Sequence, residues 1–268
     1  MTRASGVQAL LLLLVWLAGA AVSEAEGLDR EARLGRAIED YSAALEESDR
    51  DARLAGFARA QQGFASLVED GVETPALWTN LGNAALQAGR PGEAMLAYRR
   101  ALRLDPASTA ARQNVEHLRS RLPSWVPRPE EGTGPRALLV SAGLDASRRA
   151  FVTAVCFVVT AGCVVLAGRR REGAWRGLAM VAGVGWAVGL ASLFYDAEVG
   201  DADLAVITAE EAEARAADSS LAPLALPDPL PGGVEVRALE TRGEWTRVRL
   251  ANGRDVWLRA SAVTPVER

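Results

Sequence analysis

Apolar residues recur at helical spacing through the first part of the chain. Leu34, Ile38, Tyr41 and Leu45 mark one stripe, and Leu54, Phe57, Gln61, Phe64 and Val68 a second, with Gly71 ending that helix. The same period runs on from 75, and Ala111, Val115 and Leu118 share a face of a last helix over 107–121. The pattern then changes. Residues 150–168 and 177–195 are each 19 residues without a charge. At about 1.5 Å per residue, either is long enough for a hydrocarbon core about 30 Å thick. Beyond 202 the period becomes that of strands, over 205–207, 234–241, 245–250, 256–259 and 263–266. Tight turns fall at Arg242-Gly243-Glu244 and Asn252-Gly253, and a long loop spans 208–233. The chain reads as multi-domain: an all-α part, two transmembrane helices, and a C-terminal all-β part expected to close as a small barrel over 202–268.

The helical part contains a more specific spacing. Trp78, Leu81 and Gly82 are followed, after eleven residues, by Ala94, Tyr98, Ala101 and Pro106. Gly82 and Ala101 are small where two helices would cross, the large side chains fill the gap between them, and Pro106 stops the second helix. Over 75–108 this spacing resembles the 34-residue tetratricopeptide repeat, a helix–turn–helix unit, with Ala85 standing where an aromatic is expected. Ala60 and Phe64 precede Ala94 and Tyr98 by one such period, so 28–70 reads as a degenerate copy and 28–122 as one repeat domain. Such repeats bind proteins. The resemblance implies a groove lined by Ala76, Thr79, Asn83, Leu86 and Gln87, with Asn114 on the next helix. Amides donate and accept, so Asn83 and Asn114 suit an extended peptide backbone, the alternative being hydrogen bonds between repeats. Thr79 and Ala110 replace the lysines that clamp a terminal carboxylate in relatives, so carboxylate capture is not expected.

Charge fixes an expected topology. Arg3 precedes an apolar run over 9–18 and the small residues Ala18-Gly19-Ala20, so 1–20 reads as a cleaved secretory signal, with a retained anchor as the alternative. The Pro/Gly-containing stretch 123–149 reads as a linker to the membrane. Arg169, Arg170, Arg171 and Arg176 fill the turn 169–176, whereas Asp196, Glu198, Asp201 and Asp203 follow the second span. The positive-inside bias puts that turn in the cytoplasm and both soluble parts outside. Gly185 and Gly189 form a small-xxx-small pair, for packing against the first span or against another membrane protein. Cys156 and Cys163 share a helix face but stand roughly 10 Å apart along it, beyond the about 7 Å a disulfide allows.

Composition narrows the chemistry. Thirty basic against 34 acidic residues leave no nucleic-acid footprint. His117 is the only histidine, which removes most acid–base, nucleophilic and metal arrangements. No phosphate-cradling glycine loop occurs, and no carboxylate pair is singled out by spacing. A non-enzyme with no catalytic residue, metal or cofactor is expected. In the β part, Gly243-Glu244-Trp245 and Val256-Trp257-Leu258 resemble the bacterial SH3 family. One of Trp245 and Trp257 is expected in the core, the other as an open platform for a ligand. No tyrosine follows Tyr195, so proline-ligand binding is not expected. The order of parts (signal, repeat, linker, membrane hairpin, SH3-like barrel) resembles the BatE-type proteins of the Bat aerotolerance operons. That resemblance implies a bacterial inner-membrane scaffold with periplasmic domains. Its partners would be von Willebrand A-domain membrane proteins and a MoxR-type ATPase, besides membrane lipid. Peptidoglycan binding through the barrel is the alternative.

Overall fold

A computed structural model describes residues 27–129, 146–170, 173–198 and 203–267. The expected signal, most of the linker and Arg171 lie outside the described residues. The chain forms two compact units, divided between Arg90 and Pro91.

The first unit holds helices α1 (27–46), α2 (Arg50–Glu69) and α3 (Pro75–Gln87). Their ends follow from local chemistry. Asp49 caps α2 by accepting from the Ala52 amide at 2.8 Å, and Thr74 caps α3 with Pro75 at its first position. Gly71 and Gly89 follow α2 and α3 at φ 81° and 79°, a left-handed turn that side chains resist. Packing of α1 on α2 corrects the expected stripe. The seam is Ala37 and Ala44 against Gly56 and Gly63, whose added Cβ atoms would lie 2.7–2.8 Å from the alanine methyls. Backbones that close leave Ile38 and Leu45 outside, 47% and 58% exposed. Tyr41 meets Phe57 edge-on at 5.2 Å, and burial raises the Tyr41 hydroxyl above its ordinary pKa.

The second unit begins with α4 (Pro91–Leu104) and α5 (Thr109–Arg121). Next come two long helices, α6 (Ala146–Arg170) and α7 (Gly173–Glu198). Both are long and apolar enough to cross a membrane, and only 17% and 11% of their most apolar stretches are buried, unlike core helices of a soluble protein. They extend past the expected spans, so the turn between them is shorter than 169–176. Arg169 and Arg170 end α6, and Arg176 is exposed on the first turn of α7. The small-residue pair faces the first helix: a methyl on Gly185 would sit 3.3 Å from Cys156 Sγ, and one on Gly189 would overlap Thr153. Phe157 and Trp186 pack at 5.6 Å.

The sheet comprises β1 (Leu204–Ile207), β4 (Glu235–Arg242), β5 (Trp245–Arg249), β6 (Asp255–Arg259) and β7 (Val263–Pro265), antiparallel in the order β6-β5-β4-β1-β7. It is open, which corrects the expected closed barrel. Near its two ends the 208–233 stretch pairs with itself in a separate short ladder, β2 (Glu211–Ala212) with β3 (Leu230–Pro231). Arg215 then bridges to Trp257 through two 2.9 Å backbone bonds and covers part of the β6 edge. The core is Ala205, Ile207, Leu230, Val234, Val236, Val248, Val256 and Leu258. Val126 joins it, 2% exposed. The linker expected over 123–149 is thus not all spacer: its first residues belong to the sheet's core, because an apolar side chain flanked by prolines was close enough to be buried.

Candidate functional site

On α3, Leu77, Trp78, Leu81, Gly82, Ala84 and Ala85 are buried. The opposite stripe carries the expected groove residues: Thr79, Asn83 and Leu86 half-buried, Gln87 exposed. The Thr79 hydroxyl donates to the Pro75 carbonyl at 2.7 Å, so its hydrogen is used within the helix. Asn114 is half-buried on α5, in the second unit. Ala94, Tyr98 and Ala101 are completely buried in α4, and Pro106 is exposed past its end.

The most organised polar cluster lies elsewhere, where α4 and α5 meet the sheet. Val234 and Val236 point into the core, so Glu235 points the opposite way, as does its register partner Val206. That face is covered. The Glu235 side chain is 3% exposed and receives Arg99 from α4, while Arg119 of α5 donates to it at 2.7 Å. A carboxylate that deep needs its cations, because one stripped of partners would keep the full desolvation penalty. Next to Arg99, Arg100 donates to the Pro265 and Val266 carbonyls at 3.2 Å each, holding the chain beyond β7. The start of α4 presses on the β1–β2 connection so closely that a Cβ on Gly92 would lie 2.6 Å from the Ile207 oxygen and 2.8 Å from Thr208 Cα.

None of these residues stands out in the sequence. Arginines on a helix read as a solvated face, and Glu235 between two valines reads as the outward position of a strand. The outward face is known to be covered only once the helices are placed.

Trp245 and Trp257 are each 8% exposed, which corrects the expected open platform. Guanidinium groups roof both rings, Arg259 at 4.4 Å from the Trp245 centroid and Arg242 at 5.4 Å from that of Trp257. Beside Trp245 lies a cavity of about 320 Å³, lined also by Arg215, Glu213, Arg259 and Ser261. Its charges are compensated internally: Arg259 pairs with Glu244 and Arg215 with Glu213. His117 is exposed on α5. Among the described residues no group of three or more His, Cys, Asp or Glu could hold a metal ion.

Residues 75–108, spanning α3 and α4, match the tetratricopeptide repeat family. No curated protein and no solved structure matches the chain. The repeat is a non-catalytic module for protein–protein interaction, and that class of activity is what the match brings to this chain.

Proposed function

We propose that the protein is a non-enzymatic, membrane-anchored scaffold whose repeat holds a protein partner beside the membrane. The repeat match over 75–108 carries this reading. Two apolar helices, exposed along Phe151, Val158, Met180 and Val181, supply the anchor. Arg169 and Arg170 at the end of α6 and Arg176 on the first turn of α7 favour cytoplasmic placement of that end of the hairpin, and so both soluble segments outside, in the periplasm of a bacterial inner membrane. On this reading the partners are the A-domain membrane proteins and MoxR-type ATPase of a Bat-type complex. The α3 stripe of Thr79, Asn83, Leu86 and Gln87 is the surface this reading assigns to an extended segment of the partner.

Capture of a purified A-domain partner by the full chain in detergent tests the proposal. Asn83→Ala should weaken capture roughly two- to 12-fold, as one lost neutral hydrogen bond implies. Undiminished capture would remove the groove from the account. Reporters active only outside the cytoplasm should work when fused at residue 130 and fail at 172.

The cavity beside Trp245 supports a second reading, in which the C-terminal domain tethers the protein to peptidoglycan. Retention on purified cell-wall sacculi, lost at unchanged melting temperature when Ser261→Trp fills the cavity, would favour it over the scaffold.

A further inference from the structure

We infer that residues 91–129 and 203–267 are one soluble domain, which the chain leaves to make the membrane hairpin and then re-enters. The α4–α5 face of the repeat is a docking surface, and its occupant is the chain's own C-terminal sheet. Independent contacts agree on this. Val126, on the N-terminal side of the hairpin, is 2% exposed in the core of a sheet built on its C-terminal side. Glu235 lies on the far face of that sheet, where two helices each supply a guanidinium. If the sheet were merely tethered, Glu235 would face water and need neither. Arg100 donates to backbone carbonyls at 265 and 266, across 165 and 166 positions of sequence. A Cβ on Gly232 would lie 2.7 Å from the Ala209 oxygen and 3.4 Å from the Gly92 nitrogen, so three stretches of backbone converge there with no room for side chains.

Two consequences follow from elementary topology. Segments that pack into one core occupy one side of a membrane, so the chain between them crosses an even number of times, as a hairpin of α6 and α7 does. The sheet also covers the last helix pair of the repeat, as a capping element does in stacked arrays, so further repeats cannot add there. Neither consequence depends on which partner the repeat binds.

The test uses the full chain, with a specific protease site inserted within 130–145 and a tag after 267, purified in detergent and cut to completion. The fragment ending before the hairpin then has no covalent link to the tagged one. It should remain bound through washing. Arg99→Glu with Arg119→Glu should weaken retention on the order of 10–100-fold, since like charges then face Glu235. Gly92→Leu, which leaves every charge in place, should weaken it through steric clash alone. Wild-type fragments that separate as fast as these variants would overturn the inference. Cutting a mixture of two differently marked copies checks the occupant: a fragment retained by the other copy's tag would overturn docking within one chain.

Discussion

Arg119 on α5 donates to Glu235 on β4 at 2.7 Å although 116 positions separate them, with both long apolar helices in between. Arg99 completes the cluster from α4. Removing the carboxylate takes the shared counter-charge from two largely buried guanidinium groups, of which Arg119 keeps a 3.8 Å contact with Glu116, so Glu235→Gln should destabilise the second unit by about 3 kcal/mol. Thermal unfolding of the full chain in detergent reads this out. A melting temperature unchanged from wild type would show that water, not Glu235, satisfies these arginines.

Helix α7 approaches α6 through Gly189, where any side chain overlaps Thr153. Gly162 on α6 has open space around its missing Cβ. Gly189→Leu should therefore loosen the hairpin and raise the reactivity of Cys163, which is buried, toward an apolar maleimide. Gly162→Leu should leave it unchanged. Equal reactivity in the two variants would mean that α7 packs elsewhere.

Trp78 is 2% exposed. Trp78→Ala should cost about 3–5 kcal/mol, a large part of the about 5–15 kcal/mol typical of a domain. The half-buried Asn83 and Asn114 should tolerate alanine with far smaller losses of helicity on heating, followed by circular dichroism. The reverse order would mean that the asparagines hold the fold and that the Trp78 site closes around an alanine.

Arg249 holds the Asp255 carboxyl below its ordinary value of 3.8, chiefly through hydrogen bonds at 2.7 and 3.1 Å, with Coulombic help from Arg249 and Arg247 against desolvation. A depressed folded pKa stabilises above the unfolded value and loses that stability as pH falls through the folded one. Asp255→Asn should thus melt slightly below wild type at pH 7, and the two should converge well below pH 3.8. The pair is exposed, so the gap is small and shrinks in salt. A gap that persists in acid would have another origin.

What the sequence determined by itself was everything set by short-range pattern. The spacing from Trp78 to Pro106 specified a helical repeat, because crossing helices demand small and large residues at fixed offsets. Uncharged 19-residue runs specified two long apolar helices, and Gly243 and Asn252-Gly253 specified the hairpins joining β4, β5 and β6. Tertiary structure decided which faces were covered. Ala37, Ala44, Gly56 and Gly63 form the α1–α2 seam because the smallest residues permit the closest backbones, whereas Ile38 and Leu45 carry the stronger hydropathy and stay outside. Val126 lies in a stretch with a linker's composition and is core. Barrel closure failed because part of the long loop paired with itself and with the β6 edge instead of closing the sheet. Glu235 shows the general reason. Alternation along a strand separates its two faces, but only the arrival of α4 and α5, encoded more than a hundred residues earlier, decides that both faces are dry.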